Sequence, residues 1–571
     1  MNVMGTDRAA WTEVLLFART VQHLDPSQVA HRGRLRAQRR ILRALPGPLV
    51  ERRMGGGGTA AAAWPLDFES VGRRVPMACP SAADNAAGWF DFLGDRRSLG
   101  APQDWLQPEA TQLWRFHLHY FEWAWAFVQH PDRTWARAEF AALWSSWRRS
   151  SRFGRWDEWS PYVASLRAWV LCDVYADLVV DSEIENDVVA SIGAHLGFVE
   201  RHLERDLGGN HLVKNLKALV GLGVFLDRPA AVRRGLAALD RQLATQVLPD
   251  GGHFELTPLY HCQVLADLLD VVELASAAEI EVPSSWAGHV ASMRRWLGTM
   301  RFGNGGLPRF NDSMAVPDAL LAILDPPPRP PGLHLLPASG YAVLDGGGRI
   351  SAVVDVGAPC PATLPGHAHA DCLSIEVAVD GRPVLVNAGT STYTPGARRR
   401  FERSTLAHNT VEVDGADQTE VWGTFRAARR AHPTVHEVSA TGALTVTASH
   451  DGYRRLPGAP VHRRTVRLDG DELVVDDVVE GTGRHHAVVA WHFVAGKDPV
   501  RIGTRRISLE QLDLVVEPGG PCRIDLLPPG SDDRAQVSDG FGRVRPAAVF
   551  EVRLEGALPL SCRTVISAPP R

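Results

Sequence analysis

Cysteine is scarce in this chain and carries no pattern. The seven thiols, at positions 79, 172, 262, 360, 372, 522 and 562, are odd in number and include no Cys-x-x-Cys pair. That excludes a disulfide framework and a cysteine-based zinc site. No run of about 18 apolar residues exists, so no segment is expected to span a bilayer. Positive charge is not in excess either: 61 Lys and Arg against 65 Asp and Glu leave a net charge of −4. A whole-molecule basic field for nucleic acid is thereby excluded, and an anionic substrate must meet a local positive pocket. A signal peptide is missing as well. The apolar run Val14-Leu15-Leu16-Phe17-Ala18 is short and sits beside Glu13, which is the wrong order for export. The expectation is a cytoplasmic protein, or a periplasmic or secreted one if the start codon is misassigned. Tyrosine is low, at seven, whereas tryptophan reaches seventeen, a residue that lines both helical cores and sugar sites.

With 571 residues, the chain exceeds one ordinary core and is expected to divide. Residues 1–99 read as a basic, partly helical arm, exemplified by His31 to Arg40, with a flexible break at Gly55-Gly56-Gly57-Gly58 and the Thr59–Ala63 stretch after it. From about 100 to 325 apolar residues recur at spacings of three and four. The spacing predicts helices over Leu113–Val128, Pro161–Val180, Val188–Leu203, His211–Phe225, Ala230–Val247, Tyr260–Ala277 and Trp286–Met300. Serial hairpins of this length suggest an α-solenoid or (α/α) toroid. Residues 326–337, proline-rich, read as a linker. From 338 to 571 the period becomes two and turn pairs such as Asp380-Gly381 appear, predicting a large antiparallel β-sandwich. The fold class is therefore multidomain α+β.

Five polar motifs interrupt this grammar. Gly208-Gly209-Asn210-His211-Leu212-Val213-Lys214-Asn215 opens a helix, where Asn210 is a good N-cap residue. Asp250 to His261 delivers His253, Glu255, Tyr260 and His261 ahead of an apolar helix. Pro308-Arg309-Phe310-Asn311-Asp312-Ser313 is a polar loop. Gly366-His367-Ala368-His369-Ala370-Asp371 precedes a strand-like run from Cys372 to Val379, and its two histidines would share a face if that strand reached them. Ala407-His408-Asn409-Thr410-Val411 opens a further strand. Arg398 to Arg400, Arg403, Arg426, Arg429 and Arg430 could supply positive charge beside these histidines, or form a solvated edge balanced by nearby acids.

In this order the motifs resemble the heparinase II/III family of polysaccharide lyases, over roughly residues 100–500. The aromatic stretch around Trp114 and Tyr120, and Pro161 to Arg167, look like that family too. The resemblance implies an (α/α) toroid followed by a β-sandwich. It also implies β-elimination on an acidic, uronic-acid-containing polysaccharide. On this reading Asn210 neutralises the uronate carboxylate, helped by His211 or Arg309. Tyr260 and His367 share the proton transfers, with the identity of the base left open. His261, Glu255, Trp114, Tyr120 and Arg403 are expected to contact substrate. Family members that bind zinc in the sandwich use His, Asp and His. The matching positions are His369, Asn387 and His408, and a carboxamide at 387 is a weaker ligand than a carboxylate. One structural zinc, or no cofactor, is the expectation. The alternative is a non-catalytic glycan-binding or exopolysaccharide-assembly protein on the same scaffold.

Overall fold

The computed structural model describes residues 3–55, 63–75, 81–155 and 157–569, without the side chains of residues 3–10 and 12. Most of the anticipated glycine break, residues 56–62, lies outside the described residues, as does Cys79. The chain forms two compact units. One comprises Met1–Leu24, Val247–Cys262 and Ser292–Arg571, the other Asp25–Gln246 and Gln263–Ala291. Of the boundaries expected at 99, 325 and 338, that at 325 follows the end of the Asp318–Leu324 helix, whereas the strand Gly332–Leu336, paired with Tyr341–Asp345, lies inside the expected 326–337 linker; none coincides with this division.

The second unit is built of helical hairpins, the repeating element of an (α/α) toroid. Pro161–Asp173 packs against both Glu185–Arg201 and Gly209–Phe225, and the last of these packs against Pro229–Gln246. Starts are encoded locally. Asp25 and Gln28 make a reciprocal capping box for Pro26–Ala44, and proline opens Pro161–Asp173 at the position where its missing N–H costs nothing. The predicted helix from Leu113 to Val128 is in fact two, Gln112–Tyr120 and Ala124–Val128, broken at Phe121 with φ of 65°. Phe121 and Trp123 are fully buried, so core packing overrides an unbroken periodicity. The stretch to Val180 likewise ends its α-helix at Asp173 and continues as a π-helical turn, Tyr175–Val179.

The first unit carries antiparallel sheets, as the period-two pattern predicts. Gly332–Leu336, Tyr341–Asp345, Ile350–Asp355, Ile375–Val379 and Arg382–Leu385 pair in sequential order. Eight- and four-stranded sheets follow, and side chains from all three, such as Val377, Val466 and Phe550, share one apolar core. The Asp380–Gly381 turn has φ of 50° and 74°, the positive pair that a two-residue hairpin requires. Ile375–Val379 is buried at all five positions, so it is an interior strand rather than a one-sided one. It begins only at Ile375, and the histidine motif before it is loop.

Candidate functional site

In the helical unit the site motif opens Gly209–Phe225. Its N-cap is Gly208, at φ 68°, a conformation glycine adopts without strain. Asn210 is therefore not the cap; it sits in the first turn, 3% exposed. The side chain of Asn215 accepts from the Glu204 N–H at 2.8 Å and donates to Ser165 Oγ and Glu204 Oε2, both at 3.1 Å. Glu204 also lies 3.4 Å from His211 Nδ1. This fastens the loop ahead of the helix and orients a half-exposed imidazole, whose other side packs on Tyr162 at 4.4 Å. Tyr162 in turn packs edge-on against Tyr120.

In the first unit four sequence-distant segments converge on the loop Arg309–Ser313. Ser313 Oγ accepts the Leu259 N–H at 3.1 Å, satisfying one of the free donors at the start of the Pro258–Ala277 helix. Asn311 holds both neighbouring motifs: its Nδ2 donates to Leu256 O at 2.9 Å and its Oδ1 accepts from the His369 N–H at 2.9 Å. Between them Asp312, fully buried, is the hub. Its carboxylate accepts from His367 Nδ1 at 3.1 Å, His369 Nε2 at 2.9 Å, Thr390 Oγ1 at 3.2 Å and both terminal nitrogens of Arg399. Burial alone would raise its pKa, but the Arg399 charge and the two imidazole hydrogen bonds hold it well below the usual carboxylate range.

His367 Nε2 meets a second carboxylate, Glu255, at 3.1 Å. Carboxylates accept only, so both ring nitrogens carry protons and the ring is an imidazolium. Burial favours the neutral form, yet hydrogen bonds and charge from Asp312 and Glu255 prevail and raise the pKa to about 9. This cation lies face to face with Tyr260, centroids 3.9 Å apart and planes 28° from parallel. The Tyr260 hydroxyl is 2.9 Å from that of Tyr393. Burial pushes the Tyr260 phenol up, with Asp312 and Glu255 adding to the rise against the Tyr393 hydrogen bond. The resting pair is two neutral phenols beside a fixed positive charge.

Several residues expected to contact substrate, and Arg309, expected to help neutralise its carboxylate, are absorbed by structure instead. Arg403, 1% exposed, donates to the carbonyls of Ala368, Trp422, Gly423 and Arg426; it props the histidine loop rather than meeting a ligand. Arg309 spends its guanidinium on Asp539, at 2.9 Å, and Ser538 O. His261 is wholly buried, stacked on Trp296, with Nε2 bonded to Met293 O, and burial drops its pKa to about 3. Glu255 serves His367. Trp114 is a core residue whose indole N–H donates to Asp95 O at 2.8 Å, and Tyr120 is buried against Tyr162. Asp312 stood inside a motif already singled out but with no role given to it, and the residues that spacing did not reveal are Tyr393 and Arg399. Their only sequence signal is a rare tyrosine in Thr390-Ser391-Thr392-Tyr393 and an arginine run that resembles surface.

The metal expectation also changes. His369 and His408 do come together, Nδ1 to Nε2 at 3.1 Å. His369 Nε2 donates to Asp312, and His408 Nδ1 donates to Ser404 O at 2.8 Å. Each ring thus turns its unprotonated nitrogen toward the other, as in metal sites where outer partners fix the tautomer. The carboxylate that joins them within 4.8 Å is Asp371. Its Oδ1 is buried without a hydrogen-bond partner. Asn387, by contrast, accepts the Asn409 N–H at 3.3 Å. Two imidazoles and an orphaned carboxylate oxygen fit a tetrahedral cation such as zinc.

Residues 85–323 match the heparinase II/III N-terminus, and residues 328–549 match the heparinase II/III-like C-terminal region. The FtsZ-localized protein C of Caulobacter vibrioides is 27% identical over 404 residues, covering 66% of this chain and 66% of that protein. The heparin-sulfate lyase of Pedobacter heparinus is 24% identical over 525 residues, covering 81% and 74%. A crystal structure of heparinase III superposes with a TM-score of 0.72 at 14% identity, over 91% of this chain and 88% of that one. No helix among the described residues is long and apolar enough to cross a membrane.

Proposed function

Because the chain belongs to the heparinase II/III family, we propose that it is a carbon–oxygen lyase cleaving a uronic-acid-containing polysaccharide by β-elimination. The observation that carries this reading is the Tyr260 ring stacked on a doubly bonded His367 cation, with its hydroxyl paired to that of Tyr393. Elimination removes the C5 proton, breaks the bond from C4 to the glycosidic oxygen and forms the C4–C5 double bond, while the leaving oxygen takes up a proton. The Tyr260 oxygen is suited to both transfers. As phenolate it accepts the C5 proton; as phenol it returns that proton to the leaving oxygen. His367, with no lone pair to offer, is not the base. Its positive charge, 3.9 Å from the ring, favours the phenolate at the moment it is needed. Asn210 keeps the role that the family resemblance gives it, neutralising the uronate carboxylate as a neutral donor. Incubation with acidic polysaccharides is expected to generate the ultraviolet absorbance of an unsaturated uronate. Saturable binding with no such product would favour the non-catalytic glycan-binding reading instead.

The proton held by His367 sets a pH signature. Its pKa is raised from 6.5 to about 9, so the stabilisation from this ion triad is complete below the ordinary imidazole range. It is lost as pH rises through about 9. Tyr260 phenolate grows tenfold per unit over neutral pH because its own pKa is raised. The kcat/KM profile should therefore climb through neutrality and turn down near pH 9. Glu255→Gln removes one of the two carboxylates and should move the descending limb to lower pH by about 1 unit or more. An unmoved limb would remove His367 from this role.

For the paired imidazoles we propose one structural zinc held by His369, Asp371 and His408. When bound it would supply positive charge that compensates the Asp371 carboxylate and fixes the histidine loop; the proton transfers do not pass through it. Purified protein is expected to carry about one zinc per chain. Asp371→Ala should lose the metal and lower the unfolding temperature, whereas a metal-free wild type with equal stability would sink the assignment.

A further inference from the structure

Eight of the seventeen large apolar side chains exposed among the described residues fall between Trp11 and Leu49. Within that stretch the helix Pro26–Ala44 carries Arg32, Arg34, Arg36, Arg39, Arg40 and Arg43 and no acidic residue. Arg32 is paired, with Asp206 at 3.2 Å. The other five are exposed and have no acidic partner among the described residues.

We propose that this helix, continued by Gly47–Met54, seats the protein on the surface of an anionic lipid bilayer. Leu35 and Leu42 mark the buried side. With 3.6 residues per turn, Gly33, Ala37 and Ala44 run down the opposite face. Arg36, Arg40 and Arg43 flank that strip on one side, Arg34 and Ile41 on the other. Small residues at the crest let the Arg36, Arg40 and Arg43 guanidiniums reach one flat surface while their stems lie along it. Beyond the helix end, Leu45 and Leu49 are 44% and 68% exposed, and Ile41 is 58% exposed. Arg52 and Arg53 follow, also exposed. A soluble polyanion would satisfy the arginines and leave these three side chains in water. A charged bilayer accepts both, headgroups taking the arginines and the acyl boundary the leucines and isoleucine. The Gln28 and Arg32 contacts to Asp206, and Arg34 to Arg201 O, anchor the helix by its inner side and leave the outer face presented.

Co-sedimentation of the full chain with vesicles tests this. Wild-type protein should pellet with phosphatidylcholine–phosphatidylglycerol vesicles and not with phosphatidylcholine alone, and binding should weaken as salt rises. Combined Arg36→Ala, Arg40→Ala and Arg43→Ala should reduce partitioning on the order of 100-fold, about fivefold per arginine. Leu45→Ser with Leu49→Ser should weaken binding and leave its salt dependence. Unchanged thermal unfolding establishes that both variants fold. The proposal is overturned if wild type stays in the supernatant at both lipid compositions, or if the arginine variant binds as well as wild type. It is equally overturned if the arginines prove necessary for capture by heparin or DNA while vesicles go unbound.

Discussion

Tyr260→Phe is expected to lower kcat by about 1000-fold, within the range that general acid–base groups contribute, and to leave the fold intact. The substitution removes one oxygen. The face-to-face stack on His367, which depends on the ring, survives it, and the lost hydrogen bond is the 2.9 Å contact to Tyr393, worth about 1 kcal/mol of stability. Rate and stability should therefore separate widely. Tyr393→Phe is the informative companion. It deletes the same hydrogen bond and keeps the Tyr260 hydroxyl, so a much smaller loss of kcat is expected. If Tyr260→Phe retains a tenth of the wild-type rate, or if both variants fall equally, the proton does not travel through Tyr260.

Asp312→Ala should produce the largest loss of stability, about 3–5 kcal/mol, the range for removing one partner of a buried pair. Arg399 would be left 1% exposed with its fork unpaired against the Asp312 position, and two imidazoles would lose their acceptor. Arg399 also lies over the Tyr393 ring at 4.8 Å, so the phenol pair should loosen as well. Asp312→Asn keeps one acceptor oxygen and should fall between wild type and alanine. Denaturant midpoints would measure the series. A cost below 1 kcal/mol for alanine would mean that the hub is not structural.

The secondary structure was legible where local grammar and tertiary packing agree. Pro161 at a helix start and Asp380-Gly381 in a hairpin are decided within a few residues, and both appear where expected. Phe121 was not legible, because nothing in Leu118 to Trp123 announces a left-handed residue; burial of its neighbours imposes it. The site shows the same division. Ordered motifs located Tyr260, His367, His369 and His408. They could not reveal that His367 is clamped by carboxylates 55 residues away at Asp312 and farther still at Glu255. That geometry converts an apparent base into a cation. Arg403 misled in the opposite sense: a guanidinium among arginines and acids reads as a substrate contact or a solvated edge, and backbone carbonyls, its actual partners, leave no trace in sequence.

The chain passes between its two compact units four times, at 24–25, 246–247, 262–263 and 291–292. The sheets and the polar loops that complete their site are consequently not a contiguous cassette. A fragment beginning after the Pro-rich stretch would hold His367, His369 and Arg399 but neither Asp312 nor Glu255. Recombination at that apparent seam would transplant buried cations without their counter-ions. Inheritance of this site by gene shuffling therefore demands that helical and sheet segments travel together, a constraint on how such proteins can be recombined, whether by evolution or at the bench.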